Sequence, residues 1–418
     1  MPSLVFWASV SANVVIKAPI HYTPICHCEA GPNQAKAISD CFDKFWRPRN
    51  DGVYNGAVKF PKTAFQTALL DWYASTARDL PWRKTKNPYA IWISEMMLQQ
   101  TQVATVIPYY ERWMKRFPSV KALATAAEEE VLKFWAGLGY YRRAHSLHKA
   151  AKMIVENYRG QLPTEPSELL KLPGIGRYSA GAIASIAFNK KTPVLDGNVI
   201  RVLTRLLALR NDIGEIKTIR RLWEIAGDLV PEKKPGDFNQ ALMELGAMIC
   251  LPDRPQCGVC PVSLFCTARK KNTAHRFPVK KIKGLSEKIE TAALVLRRNG
   301  HVLIQKQPRV ARWGGLWMFP FARNKKSIAS RFTLDIKHLK PRLTVHHGFT
   351  KYRVKLTVYE SRHCETVPKH VEAISSKSPG RSRRNGDIVT FRWTKISDLD
   401  KLAFPSPHQK IVKDLHRG

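Results

Sequence analysis

Leu172-Pro173-Gly174-Ile175-Gly176-Arg177-Tyr178 is the stretch on which the fold turns. It joins two runs with a helical period, 167–171 and 178–188. Its two glycines let the backbone reverse tightly and leave bare N–H groups at the start of the second helix, an arrangement that attracts anions. A Pro-Gly-x-Gly turn is by itself only a turn. Twenty-two positions after Gly174, however, comes Leu195-Asp196-Gly197-Asn198-Val199. Asp196 is expected at the N-cap of a helix over 199–209, beside the turn. Alone it would be an ordinary cap; next to an anion-seeking turn it is a candidate functional carboxylate.

Outward from this point, residues 63–269 read as about ten helices with almost no strand. Phe65, Leu69, Trp72 and Tyr73 recur at helical spacing, as do Val103, Val106, Ile107 and Tyr110, and Pro81, Pro118, Gly160 and Pro163 punctuate the runs. The region closes on Cys250-x6-Cys257-x2-Cys260-x5-Cys266. Four thiolates so spaced can converge on one inorganic centre, either a [4Fe–4S] cluster or zinc. Zinc sites favour two similar Cys-x2-Cys pairs. One wide and two narrow gaps around a single object point instead to iron–sulfur. No neighbouring residue looks redox-catalytic, so the centre is expected to fix a loop whose Arg254, Arg269, Lys270 and Lys271 face phosphates.

Residues 269–288 carry eight Lys or Arg and one Glu, and a basic linker is placed at 271–288. Beyond it the grammar changes. Short β-branched and aromatic runs begin at Thr291, His301, Lys355 and Ile388, which predicts a separate α+β domain over 289–418. The Ser-, Lys- and Arg-rich stretch 365–387 is expected to be a loop within it. The chain has 418 residues and a formal charge of +36, an excess that draws polyanions and makes binding salt-dependent. Charge alone does not separate nucleic acid from an anionic membrane surface, but no stretch is long and apolar enough to span a bilayer. Cys26, Cys28, Cys41 and Cys364 are scattered, so eight cysteines in all fit a reducing compartment and a metal site, not a disulfide scaffold. Residues 1–61 show no period and no secretory pattern; they are expected to be a disordered extension or sequence upstream of the natural start, with an organellar presequence as the alternative.

The turn, the aspartate after it and the trailing cysteine loop together resemble the helix-hairpin-helix base-excision glycosylases that carry an iron–sulfur cluster. Longer motifs narrow the resemblance to the adenine DNA glycosylases of the MutY type. They are Leu80-Pro-Trp-Arg83, Trp92-Ile-Ser-Glu-Met-Met-Leu-Gln-Gln-Thr-Gln-Val103, Gly137-Leu-Gly-Tyr-Tyr-Arg142, Phe238-Asn-Gln-Ala-Leu-Met-Glu-Leu-Gly-Ala-Met-Ile-Cys250 and Trp313-Gly-Gly-Leu-Trp-Met-Phe-Pro320. The resemblance runs from about residue 63 to the C-terminus. It implies an all-α helix-hairpin-helix glycosylase domain at 62–270 with a [4Fe–4S] loop at 250–266, followed by a Nudix-like domain. Endonuclease III-type enzymes, the nearest alternative, are glycosylase-lyases whose nucleophilic lysine follows the hairpin. Here that position is Tyr178, and without an amine no Schiff base with the sugar can form.

The resemblance assigns Glu95 as the acid that protonates adenine, which burial would suit by raising its pKa. Asp196, kept ionised, would stabilise the oxocarbenium-like sugar, in the logic of paired carboxylates with opposite protonation states. Tyr178 and Asn198 would orient these two groups or the attacking water. Gln100 and Tyr140 would wedge into the base stack, and Arg83, Gly174 and Gly176 would join them at the DNA. In the second domain, Phe349-Thr350-Lys351 stands where the family checks for 8-oxoguanine with Phe-Ser-His, so a lysine replaces the imidazole. The segment 323–331, after the Gly-Gly-Leu-Trp motif, has no carboxylate, which argues against nucleotide hydrolysis. The implied partner is duplex DNA with adenine opposite 8-oxoguanine or guanine, bound by a monomer away from membranes. The compartment would be cytoplasmic in a bacterium, and nuclear or organellar in a eukaryote.

Overall fold

A computed structural model describes residues 60–281, 287–309, 311, 313–349, 352–361, 381–384 and 387–417. The expected N-terminal extension therefore lies outside the described residues, apart from its last two. Between 60 and 281 the described residues form twelve α-helices and no strand. In chain order these are α1 Lys62–Thr76, α2 Pro88–Leu98, α3 Val103–Arg116, α4 Val120–Thr125, α5 Glu128–Trp135 and α6 Arg142–Asn157. There follow α7 Pro166–Leu169, α8 Arg177–Phe188, α9 Gly197–Leu207, α10 Ile216–Leu229, α11 Pro235–Met248 and α12 Thr267–Lys270. The excess over the expected number is partly two four-residue turns, α7 and α12, too short to show a period.

One compact unit comprises 60–124 and Lys149–Ile282. Phe65, Leu69 and Tyr73, one stripe of α1 at i, i+4 spacing, pack on Val199, Val202 and Leu206 of α9, Leu222 and Leu229 of α10, and Phe238 and Leu245 of α11. Each such side chain contributes about 1.5–3 kcal/mol relative to exposure. Trp72 is only partly buried against this core, and Val103 and Ile107 are likewise partly exposed on α3. The central turn spans the end of α7 to the start of α8. Ile175 N–H donates to the Leu172 carbonyl at 3.1 Å, and Gly174 adopts φ 82°, open to glycine at little cost. Gly176 differs from the expectation that both glycines serve the turn. Its φ of −95° is ordinary, and a Cβ there would meet nothing within 4 Å.

The second unit joins Thr125–His148 to Lys283–Gly418. Its strands are β1 Glu287–Arg298, β2 His301–Lys306, β3 Trp317–Met318, β4 Phe321–Ala322, β5 Lys340–Phe349, β6 Tyr352–Ser361, β7 Arg381–Arg384 and β8 Asp387–Lys395. They form a mixed sheet of order β5-β6-β1-β2-β8-β7, in which only β1 and β6 run parallel, from Glu287↔Tyr352 to Leu296↔Ser361. Alternation along β1 feeds both faces. Ala293 and Val295 join Val345, Leu356 and Val358 beneath the C-terminal helix α14, Ser406–Leu415. Ala292, Leu294 and Leu296 join Ile328, Ala329 and Phe332 of α13, Lys325–Arg331, on the other side. β7 lies inside the stretch expected to be loop, because its backbone completes a ladder with β8; the remainder of 365–387, apart from Asp387, lies outside the described residues. The helix following the Gly-Gly-Leu-Trp segment is α13, without a carboxylate.

A boundary drawn only along the sequence places 125–148 with the other helices, whereas the compact units cut across it. The reason is specific bonding. Trp317 Nε1 donates to Glu129 at 2.7 Å, His145 bridges the Glu128 carboxylate at 2.8 Å and the Gly314 carbonyl at 2.9 Å, and Arg309 pairs with Glu128. Gly315 holds φ 76°, and a Cβ there would sit 3.0 Å from Leu132.

Candidate active site

Helix α2 starts from an Asn87 cap, whose side chain accepts from Tyr89 N–H at 2.9 Å, and from Pro88 at its first position. Nine consecutive residues, Tyr89 to Met97, are buried, so the helix is a core element with no wet face. Glu95 is one of them, with 5% exposure. Tyr178, the second residue of α8, donates its hydroxyl to Glu95 Oε2 at 2.8 Å; its oxygen lies 3.1 Å from Met243 Sδ. Burial pushes the Glu95 carboxyl up to about 7. The Tyr178 hydrogen bond opposes that rise, the Asp196 charge adds to it, and the Arg83 charge counters it. A carboxyl so placed carries its proton near neutrality and can give it up.

Asp196 caps α9 as expected from the sequence, accepting Val199 N–H at 2.7 Å and Asn198 Nδ2 at 2.9 Å. Burial raises its pKa too, against the Val199 and Asn198 hydrogen bonds and the Arg201 charge, which favour the anion. The two carboxyls thus differ in their company. Glu95 accepts from one hydroxyl, whereas Asp196 accepts from two nitrogen donors; a cation favours each anion, Arg83 for Glu95 and Arg201 for Asp196. Helix α8 opens at Gly176 with no side-chain cap, leaving its first N–H groups for an external acceptor.

Several neighbours escaped the sequence reading. Arg201 donates to Asn198 Oδ1 at 2.9 Å, to the Gly246 carbonyl at 2.8 Å and to the Cys250 carbonyl at 2.7 Å, tying the Asp196 cap to the cysteine loop. A Cβ on Gly246 would stand 2.5 Å from Asn198 Cβ, so only glycine permits α11 this approach. Arg83, expected at the DNA, has its guanidinium on Glu244 at 2.8 Å and above the Tyr73 ring at 5.3 Å. Arg78 grips the same carboxylate at 2.6 Å. Burial alone would raise Glu244, yet the hydrogen bonds from Arg78 and Arg83 outweigh it and hold the group at about 2. Residues 166 positions apart make this pair, and no local spacing could announce it.

The other expected contacts are distributed. Gln100 is exposed just after α2 with φ 57°, and Tyr140 is 37% exposed with φ 49°, both in the left-handed region. Phe349 ends β5, paired with Tyr352, while Thr350 and Lys351 lie outside the described residues. Cys250, Cys257, Cys260 and Cys266 line one small cavity with Arg205 and are unpaired thiols. Arg205, 2% exposed, donates to Cys250 Sγ at 3.3 Å and to the carbonyls of Leu251 at 2.6 Å, Pro252 at 2.7 Å and Phe277 at 3.1 Å. Among the described residues, no group of three or more His, Cys, Asp or Glu is gathered as a metal-ion site.

Comparison with known proteins adds the following. Residues 93–227 match the family described as HhH-GPD superfamily base excision DNA repair protein, and residues 291–414 match the NUDIX domain. An adenine DNA glycosylase of Rattus norvegicus is 51% identical over 218 residues, 50% of this chain and 42% of that protein, so the match spans less than half of the relative. An adenine DNA glycosylase of Buchnera aphidicola subsp. Schizaphis graminum is 34% identical over 355 residues, covering 84% of this chain and 98% of that protein. A solved thermostable thymine-DNA glycosylase is 31% identical, with a TM-score of 0.45, over 50% of this chain and 97% of that one.

Proposed function

Since the chain belongs to the adenine DNA glycosylases, we propose that it hydrolyses the bond between adenine and deoxyribose in duplex DNA where adenine faces 8-oxoguanine or guanine. It would do so in base excision repair, without lyase activity. The observation that carries this reading is Glu95, a buried carboxyl raised to about 7 beside the Tyr178 hydroxyl and within the field of Asp196.

Adenine leaves poorly as an anion, so the proton on Glu95 goes to the base as the glycosidic bond breaks. The base must first leave the stack, at a cost of a few kcal/mol. Asp196, with the Val199 N–H and Asn198 amide favouring its anion, stabilises the positive charge that develops on the sugar. Both carboxyls are raised by burial, so the opposite protonation states rest on their different donors. Tyr178 offers a hydroxyl, not an amine, which supports base release without a Schiff base to the sugar and hence without lyase activity.

Four thiols around one cavity form a soft donor set that fits an iron–sulfur cluster. Cys250, Cys257, Cys260 and Cys266 would hold it, and bound there it would supply structural fixation of the loop. The basic surface and the uncapped start of α8 would hold DNA phosphates. The Nudix-like domain would examine the base opposite adenine through the segment 349–351.

The test is adenine release under single turnover from duplexes with adenine opposite 8-oxoguanine, guanine and thymine. Release should be fast for the first, slower for the second and negligible for the third, and Glu95→Gln should abolish it while DNA affinity remains. Equal rates on all three would overturn the substrate, and unchanged release by Glu95→Gln would overturn the mechanism.

A further inference from the structure

The segment Gly137-Leu138-Gly139-Tyr140-Tyr141 holds three left-handed residues in four, with Gly137 at φ 110°, Gly139 at φ 74° and Tyr140 at φ 49°. Glycine tolerates this, but a tyrosine there is strained and persists only where its surroundings over-determine it. Among the described residues, the Tyr140 ring is nonetheless one of few large apolar groups left exposed. Something must hold the backbone so that the ring stays out.

Arg143, 8% exposed on the first turn of α6, meets the loop from beneath. Its Nη2 donates to the carbonyls of Leu138 at 3.3 Å and Gly139 at 3.1 Å. Its guanidinium carbon lies 5.1 Å from the Trp135 ring and 5.6 Å from the Tyr140 ring. Its backbone N–H donates to the Tyr140 carbonyl at 2.9 Å, and Trp135 Nε1 adds a second bond to Gly139 O at 3.1 Å. A buried cation is expensive, and it is held here by two carbonyls and two ring faces that lie within eight residues before it. Arg143 therefore touches the two carbonyls before Tyr140, the Tyr140 carbonyl and the Tyr140 ring itself.

We propose that Arg143 is the positioning residue for Tyr140, clamping the Leu138 and Gly139 carbonyls so that the ring is held ready to enter the base stack. This rests on the reading that Tyr140 wedges into DNA. A planar guanidinium can bridge two carbonyls while lying against the rings; a lysine, as a point charge, cannot. Replacing it frees the backbone to relax, and the ring must then be ordered anew at each encounter.

The full chain tests this through a double-mutant cycle of Arg143→Lys and Tyr140→Ala, with Trp135→Phe as a further variant that removes the indole donor and part of a buried ring. The probe is a duplex carrying adenine opposite 8-oxoguanine with 2-aminopurine beside the adenine, read by fluorescence for base extrusion and by single-turnover adenine release. Arg143→Lys is expected to slow extrusion about tenfold in the otherwise unchanged protein and to add nothing in the Tyr140→Ala background. Trp135→Phe should act in the same direction but less. Affinity for an undamaged duplex should be unchanged. An equal slowing with and without Tyr140 would mean that Arg143 merely supports the fold, and would overturn the proposal. So would normal extrusion by Arg143→Lys alongside a slow Tyr140→Ala, although the wedge reading would then survive. Normal extrusion by Tyr140→Ala would remove the wedge reading itself, and the proposal with it.

Discussion

Substituting Tyr178→Phe should move the alkaline limit of adenine release to higher pH. The hydroxyl donates to Glu95 Oε2 at 2.8 Å and so favours the carboxylate, while burial favours the acid and sets the balance at about 7. Phenylalanine fills the same space without the donor. A hydrogen bond to a charged group is worth about 1.5–3 kcal/mol, and about 1.4 kcal/mol corresponds to one pH unit, so the limit should rise by about 1–2 units. The sign follows from the chemistry, because losing a partner of the anion makes the proton harder to remove. In the proposed mechanism the protonated acid is the active form, so release by the native protein should fall as pH rises through about 7. At about pH 8 the native protein should keep about a tenth of its plateau rate, and the variant half or more of its own. The assay is single-turnover release across the pH range, with Glu95→Gln as the control that should lose the limb altogether. A limb that stays in place or moves to lower pH in Tyr178→Phe would refute the assignment, as would a limb that persists in Glu95→Gln.

Three further outcomes are expected. Glu244→Gln leaves Arg78 and Arg83 without their anion and should cost about 3–5 kcal/mol, seen as a lowered melting midpoint. Because Glu244 is held at about 2, its stabilisation is present above the ordinary carboxylate range and is lost as pH falls towards 2. Gly246→Ala drives a methyl into Asn198 and should cost about 1–3 kcal/mol by melting, together with slower adenine release as the Asp196 partner shifts. Arg205→Met removes the donor to Cys250 Sγ and to the carbonyls of Leu251, Pro252 and Phe277, and should lower the iron recovered per chain in a direct metal assay.

What the sequence determined by itself was everything written in local periods and spacings. The stripe Phe65, Leu69 and Tyr73, the glycine-bearing turn at 172–176, the Asp196 cap, the cysteine spacing and the switch to β-branched runs after the linker are short-range patterns. Backbone geometry translates them directly into helix, turn and strand. Tertiary structure decided what local patterns do not encode. It placed Glu95 under the Tyr178 hydroxyl 83 residues away and engaged Arg83 with Glu244. It ran Arg201 from the Asp196 cap to the cysteine loop, and grouped 125–148 with the C-terminal sheet. The physical reason is that a carboxyl's proton affinity and a guanidinium's partner are set by whatever groups exclude water around them. Those groups converge only when segments distant along the chain pack into one core.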